Sequence, residues 1–287
     1  MTDAHCHPEN LLAYNQDMER ERRETGTAAA ASSTSRREFE YHESLAFNAR
    51  RDNGPPLYCC FALHPQLAPA FAENKNTGMS YKDMEERQGF LSLGGGLDYL
   101  YNLAKEGRLD GIGETGFDLY DERFKTSEKV QDEIFTCHLE TALKYNLPLI
   151  LHVRRAMHKI FPFSKELKKL PAVIFHSWPG TKSEGEALIK RGIDVYFSFG
   201  TTVLKNHKQA MASAASFPPE RILLESDAPW QPLRNKLYSS WQDLEAICSC
   251  IASLRKEAGC SHSSREEVEN ASTRNFFDVF KAGGRRL

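Results

Sequence analysis

The 287-residue sequence lacks the features that mark several large classes of protein. No apolar run approaches the roughly 18 residues of a membrane span, and the first residues form a charged, histidine-bearing segment rather than a basic stretch followed by an apolar one. Its seven cysteines are odd in number and form no CxxC pair, which suits free thiols in a reducing compartment. These absences predict a soluble cytoplasmic protein with no membrane partner.

Strong charge and the common single-motif catalysts are also missing. The formal net charge is only −2, so bulk attraction would not hold nucleic acid, and any polyanion must be bound locally. There is no GxSxG nucleophile elbow, no P-loop and no dinucleotide fingerprint, so no nucleotide cofactor is expected. Gly94-Gly95-Gly96 follows no predicted strand and precedes no Lys-Ser/Thr pair, and it predicts a turn rather than a phosphate loop.

The sequence does contain a regular alternation of short apolar segments and helical segments. Predicted strands lie near residues 2, 28, 58, 111, 149, 173, 195 and 223, and a helical segment separates each from the next. This spacing predicts parallel strands with helical crossovers, and eight such units fit an α/β fold of the (β/α)₈ TIM-barrel type, as a single domain over residues 1–287. An irregular stretch is predicted for residues 66–79, and a helix for 81–105.

Ionisable side chains stand at the ends of several predicted strands. His5 and His7 alternate along the first strand and therefore face the same way. Any one of the histidines and carboxylates at these strand ends, taken alone, could be an ordinary buried histidine or loop carboxylate. Together they predict one site, because the functional groups of such barrels gather at the C-terminal ends of the strands. The others at strand ends are His64, Glu114, His152, His176 and Asp227.

A pair of metal ions best explains this set. Polar groups at the ends of apolar strands are costly to desolvate unless a partner such as a divalent cation compensates them. Six ligands from five strands exceed the needs of one tetrahedral ion, so two ions about 3.5 to 4 Å apart are expected. We expect Glu114 to bridge the ions and Asp227 to accept a proton from an activated water. The other ligands form two groups: His5 and His7 with Asp227, and His152 with His176.

The stretches DAHCHP, ALHP, GIGETGFD, LILHVRRA, FHSWPGT and LLESDAPW, in this order and spacing, resemble the signature motifs of the TatD family of metal-dependent deoxyribonucleases. The resemblance spans nearly the whole chain. It implies an amidohydrolase-like TIM barrel that hydrolyses DNA phosphodiesters, often from the 3′ end of a single strand, with divalent metals such as Mg²⁺, Mn²⁺ or Zn²⁺. It implies catalytic roles for Glu114 and Asp227 and a place near the substrate for His64. The metal ligands it implies are His5, His7, Glu114, His152, His176 and Asp227.

Candidate substrate contacts follow the same strands. Arg154-Arg155 stands where the family usually has Asp after the Arg, and Ser177-Trp178-Pro179 replaces a more usual Cys-Phe-Ser, which bears on substrate preference. Arg154 and Arg155 are predicted to bind phosphate, because Arg can grip it bidentately. Trp178 and Trp230 are candidates to stack on an unpaired base, and packing is the alternative for both. Glu225 is expected to orient neighbouring groups.

The sequence leaves three functions open. The first is a metal-dependent DNase, an exonuclease acting as a monomer on single-stranded DNA. The second is a barrel hydrolase of a small amide, ester or lactone, which a narrow mouth of the site would favour. The third is a catalytically idle barrel whose helices, such as those between Trp241 and Lys281, form a docking face. The six aligned candidate ligands argue against the third function, since a scaffold does not need them.

Overall fold

The computed structural model describes residues 1–77 and 92–282. The strands of this part of the chain form two parallel sheets, one with the order β1-β2-β3 and one with the order β4-β5-β6-β7-β8. Strands that follow one another in the chain are therefore neighbours within each sheet, as expected for parallel strands joined by crossover connections. The strands are β1 (Thr2–Cys6), β2 (Ala28–Ser33), β3 (Leu57–Phe61), β4 (Ile112–Asp118), β5 (Leu149–Arg154), β6 (Val173–Phe175), β7 (Val195–Phe199) and β8 (Ile222–Leu224).

Backbone contacts join the two sheets at both edges. Cys60 at the end of β3 forms a parallel bridge with Gly111 just before β4. On the other side, the amide of Asp227, after β8, donates to the carbonyl of His5 in β1 at 3.0 Å. The sheets thus close on each other as a (β/α)₈ barrel, and the predicted fold is confirmed.

Helices occupy the connections, and some differ from the sequence prediction. Residues 68–77 form a helix where an irregular stretch was predicted, and the three glycines at 94–96 lie inside a helix rather than a turn. A Cβ on Gly96 would lie 2.8 Å from the Leu63 side chain, so close packing explains a glycine there. The helices are Pro8–Leu11, Met18–Glu24, Arg36–Arg51, Ala68–Thr77, Leu93–Lys105, Glu122–Thr126, Glu128–Tyr145, Met157–Ile160, Ser164–Leu167, Lys182–Lys190, Lys208–Ser216, Asp243–Glu257 and Arg265–Ala282.

Local sequence signals explain two features of the helices. Ser35 caps its helix through a capping box with Glu38, as its spacing predicts. The helical segment around Pro162 is broken by the 3₁₀ turn Phe161–Phe163, because proline removes a backbone donor. The first part of the predicted 81–105 helix lies outside the described residues. Among the helices that the structure describes, none combines the length and the apolarity that crossing a membrane requires.

The barrel interior below the strand ends is apolar. Ile150 and Ile174 precede His152 and His176 by two residues, so each shares a strand face with the histidine that follows it. Both isoleucines are fully buried in one cluster that also contains Phe280 of the last described helix. The polar groups at the strand ends therefore lie against an apolar barrel interior, where an unpaired charge is costly.

Two glycines let β4 lie unusually close to β5. A Cβ on Gly113 would lie 2.4 Å from the Cβ of Ile150, and one on Gly116 would lie 2.2 Å from the carbonyl oxygen of His152. Gly116 also has φ +132, which side chains rarely adopt. The glycines on either side of Glu114 therefore bring its carboxylate against the histidine of the next strand.

Candidate metal centre

Glu114 lies at the centre of the residues that the strand ends bring together. Its Oε1 is 3.0 Å from His5 Nε2 and 3.1 Å from His7 Nε2. Its Oε2 is 3.3 Å from His152 Nδ1 and 3.5 Å from His176 Nε2. The two oxygens of one buried carboxylate thus face two different pairs of histidines, in the grouping that the sequence predicts.

Asp227 completes the first of these groups. Its Oδ1 is 3.7 Å from His5 Nε2 and 3.6 Å from His7 Nε2. Ligand atoms of His5, His176 and Asp227 lie within 4.8 Å of one another, close enough to share a cation. All six predicted ligands therefore converge on one region.

His64 lies closer to this centre than the sequence indicates. The sequence predicts a contact with substrate, whereas His64 Nε2 lies 3.4 Å from Glu114 Oε2. With Glu114 and His152 it forms a third group whose ligand atoms lie within 4.8 Å of one another. The geometry therefore also makes His64 a candidate ligand, while its Nδ1 accepts a hydrogen bond from the amide of Gln66 at 3.1 Å.

Asp3 holds the loop that carries Asp227 against the first strand. Its carboxylate accepts hydrogen bonds from the amide of His5 at 3.2 Å, and from the amide and hydroxyl of Ser226 at 2.9 and 2.6 Å. Burial raises the pKa of Asp3 to about 7, although these hydrogen bonds oppose the shift. Asp3 thus fixes His5 and Asp227 relative to each other.

Polar side chains lie beside the second ring nitrogen of two of these histidines. Ser32 Oγ lies 3.1 Å from His5 Nδ1, which gives the end of β2 a part in the site that the sequence analysis missed. Glu225 Oε1 lies 3.1 Å from His176 Nδ1, consistent with the orienting role expected for it. Such partners fix the ring orientation of metal-binding histidines and keep the ligating nitrogen available.

Asp118 is a second residue that the sequence analysis missed. Its Oδ2 lies 3.3 Å from His152 Nε2 and accepts a hydrogen bond from Gln66 Nε2 at 2.8 Å. A signal was present, because Glu114 and Asp118 are four residues apart on one strand and so face the same side. His152 is therefore flanked by a carboxylate on each ring nitrogen.

The mixture of buried charges shifts the pKa values strongly. Burial alone would raise the pKa of Glu114, but the imidazoles of His5, His64 and His176 hold it well below its ordinary value. Burial would lower the pKa of His7, but hydrogen bonds with Asp227 and Glu114 raise it to about 10. The pKa of Asp227 is also lowered against the effect of burial, chiefly by His176. Both carboxylates are therefore ionised at neutral pH.

Arg154 and Arg155 lie together at the rim beside this centre. Arg154 Nη1 lies 3.4 Å from Asp118 Oδ2, and its side chain is 42% exposed. The guanidinium carbons of Arg154 and Arg155 lie 4.1 and 4.6 Å from the ring centre of Tyr120, which is itself half exposed. The predicted phosphate-binding pair thus forms a cationic and aromatic cluster next to His152.

The structure corrects the prediction for Trp178. Its indole is 2% exposed and packs between Phe175, Phe197 and Phe217, and its Nε1 donates to Ser213 Oγ at 3.1 Å. Stacking on a substrate base would require removing it from the core, so packing is its role here. Trp230, by contrast, is 48% exposed.

The donor set at the centre fits divalent cations. Imidazole nitrogens and carboxylate oxygens are common ligands of zinc and manganese, and here they are buried within reach of one another. A buried cluster of this kind at the C-terminal end of a (β/α)₈ barrel is the arrangement of a metal-dependent hydrolase.

Comparisons with known proteins identify the family. The model of the family described as TatD related DNase matches residues 2–281, and the chain belongs to this family. An uncharacterized metal-dependent hydrolase of Buchnera aphidicola is 27% identical over 238 residues, which cover 80% of this chain and 78% of that protein. The 3′-5′ ssDNA/RNA exonuclease TatD of Escherichia fergusonii is 29% identical over 132 residues, which cover 46% of this chain and 50% of that enzyme.

The fold agrees with this assignment. The crystal structure of YjjV, a TatD homologue from Escherichia coli K12, covers 98% of this chain and 98% of its own, with a TM-score of 0.72 and 22% identity. Family membership and the relatives together make this protein a metal-dependent hydrolase of the TatD family. The prediction that it is a metal-dependent hydrolase is therefore confirmed.

Proposed function

We propose that the protein hydrolyses DNA phosphodiester bonds as a 3′-5′ exonuclease on single-stranded DNA. The observation that carries the proposal is the position of Glu114, with Oε1 about equally close to His5 and His7 and Oε2 near His152 and His176. A carboxylate with one oxygen in each of two ligand groups is suited to two neighbouring cations, the arrangement common in enzymes that cleave phosphate esters.

The metal ligands proposed are those that converge on Glu114. Bound Mg²⁺, Mn²⁺ or Zn²⁺ would lower the pKa of water and stabilise the charge that develops on a phosphoryl oxygen. His64 joins the ligand candidates because of its distance from Glu114. We propose one ligand group of His5, His7 and Asp227 and a second of His152 and His176, with Glu114 shared.

Asp227 is proposed as the general base. Its lowered pKa keeps it ionised at neutral pH, and its Oδ1 is directed toward the region between His5 and His7. An ionised carboxylate at this position can take the proton of an attacking water at Oδ1. Glu114 carries the same charge but is surrounded by more imidazoles, so it is better suited to holding cations than to accepting a proton.

Substrate binding is proposed for the rim. Arg154 and Arg155 lie together beside His152. Their guanidinium groups can bind a phosphate of the DNA strand near the scissile bond. Trp230 follows Asp227 by three residues and exposes about half of its side chain, which suits stacking on an unpaired base. The Escherichia fergusonii relative, a 3′-5′ ssDNA/RNA exonuclease, supports the same substrate class.

We further propose that the chain acts as a single-domain monomer in the cytoplasm. None of the seven cysteines, all of which lie in the described part of the chain, forms a disulfide, which suits a reducing compartment. Size-exclusion chromatography with light scattering tests the monomer, and a dimer mass would contradict it.

The test of the function uses the full chain with 5′-labelled single-stranded and double-stranded DNA and with Mg²⁺, Mn²⁺ or Zn²⁺ supplied separately. Stepwise shortening of the single strand from its 3′ end is expected. Glu114→Gln and Asp227→Asn should abolish it, whereas Glu186→Gln, on the protein surface, should not. Cleavage of a lactone or an aryl ester with no release of nucleotides would favour the small-substrate hydrolase instead.

A further inference from the structure

Three residues of the site share an uncommon backbone conformation and are connected to one another. Ser177, Asp227 and Gln231 have φ values of +45, +52 and +59, in the left-handed region that non-glycine residues seldom adopt. Gln231 Nε2 donates to Asp227 Oδ2 at 2.7 Å and to Ser177 Oγ at 3.0 Å. Conformations of this kind persist where surrounding contacts hold them, and they concentrate at functional sites.

Gln231 is also held through its backbone. Its carbonyl oxygen accepts hydrogen bonds from Thr201 Oγ1 at 2.6 Å and from Lys205 Nζ at 2.8 Å. Both donors follow β7, while Ser177 follows β6 and Asp227 follows β8. One residue therefore joins the loops that follow three consecutive strands, with its side-chain amide directed at Asp227.

This contact determines which oxygen of Asp227 faces the centre. A carboxylate rotates readily about its last bond, so its orientation needs a partner. Gln231 occupies Oδ2, and Oδ1 is the oxygen that lies 3.7 Å from His5 Nε2 and 3.6 Å from His7 Nε2. A hydrocarbon at position 231 would leave Oδ2 without its amide donor and both orientations open.

We propose that Gln231 is the positioning residue of Asp227, holding its carboxylate in the orientation that binds a cation and accepts a proton. The inference rests on the proposed function only for the role of Asp227. Gln231 lies one residue beyond the LLESDAPW stretch and belongs to none of the ligand groups. Its importance follows from the amide contact, the left-handed backbone and the two donors on its carbonyl.

The test compares Gln231→Leu with Gln242→Leu, the same substitution at an exposed position that makes no side-chain cap. Mn²⁺ affinity is measured by calorimetry on the full chain, and kcat and KM are measured with single-stranded DNA. Loss of an outer partner of a metal site costs about 10 to 100-fold in affinity or activity. We expect Gln231→Leu to lower Mn²⁺ affinity, kcat or both by at least about 10-fold, with KM for DNA within about threefold.

Two further variants separate positioning from folding. Gln231→Glu keeps the length of the side chain but cannot donate when ionised and places a charge beside Asp227, so it should be as impaired as Gln231→Leu. Ser177→Ala keeps the contact between Gln231 and Asp227 and should lose less than either. Thermal melting identifies the folded fraction of each variant, so that affinity and rate are expressed per folded molecule.

The outcomes are distinct. If Gln231→Leu and Gln231→Glu both match Gln242→Leu in Mn²⁺ affinity and kcat, the proposal is wrong. It is also wrong if they only lower the melting temperature, because a purely structural residue would do that. If the wild type releases no nucleotide with any metal, the nuclease proposal fails, and Gln231 is then judged by Mn²⁺ affinity alone.

Discussion

His138 provides a test of how the strands that carry the candidate metal centre are stabilised. Its Nε2 accepts a hydrogen bond from the amide of Leu63 at 3.3 Å, and its Nδ1 lies 2.6 Å from Thr115 Oγ1. Because the Leu63 amide can only donate, Nε2 must be unprotonated and Nδ1 must carry the proton. Leu63 precedes His64 and Thr115 follows Glu114, so this fully buried ring connects the segment after β3 to the middle of β4, which present those residues.

A second proton on His138 would be placed on Nε2, where it would face the N–H of Leu63 inside the core and replace the hydrogen bond between them. Burial lowers the pKa of His138 from 6.5 to about 3. Between these values the unfolded chain binds a proton that the folded chain excludes, so stability is lost as the pH falls below about 6.5. At pH 5 the difference from the unfolded pKa is about 1.5 units, which at about 1.36 kcal/mol per unit gives about 2 kcal/mol.

The perturbation is His138→Gln, which retains a donor and an acceptor but does not titrate. The free energy of unfolding is measured by urea denaturation at pH 7 and pH 5 for the wild type, for this variant and for His158→Gln, which alters an exposed histidine. The advantage of the wild type over His138→Gln should shrink by about 2 kcal/mol between the two pH values. An equal loss of stability in wild type and His138→Gln on acidification would refute the reasoning, and His158→Gln should behave as the wild type does.

Other predictions concern packing, substrate and metal. Arg22 is fully buried and donates to Glu19 and to the carbonyl of Thr27, so Arg22→Met should cost about 3 kcal/mol of unfolding free energy in a urea titration. Trp178→Ala should destabilise by about 3 to 5 kcal/mol, whereas Trp230→Ala should leave the melting temperature nearly unchanged and raise KM for single-stranded DNA about fivefold or more. Mn²⁺ at about 100 times its dissociation constant should add about 2.7 kcal/mol of stability to the wild type, and the gain should be absent in Glu114→Gln.

The positions of the candidate ligands were predictable because strand geometry and barrel topology are both periodic. The alternation of His5 and His7 follows from the period of two in a strand, and the convergence of His152 and His176 follows from the rule that parallel strands end at one face. Neither inference requires knowledge of a side-chain rotamer. The fold and the convergence of these six side chains could therefore be predicted from the sequence, whereas their role as metal ligands stays a prediction.

The partners of the ligands could not be deduced in the same way. Ser32 and Asp118 lie near the ends of β2 and β4 and contact candidate ligands, but a serine or an aspartate at such a place is common without any role. Trp178 shows the opposite difficulty, because its position after the His176 strand fits a rim residue while its indole lies in the core. Whether a loop side chain points inward depends on backbone conformation, which the sequence pattern does not specify.

Gln231 illustrates why sequence motifs do not identify the residues that orient a candidate ligand. Its side chain reaches Asp227 only because its own backbone is left-handed and its carbonyl is held by Thr201 and Lys205 from another loop. Those contacts join segments that are about 30 residues apart in sequence and share no periodic relation. The ligands follow from the barrel topology, whereas the orientation of a ligand follows from loop packing, so substitutions in these loops can change activity while every predicted ligand stays in place.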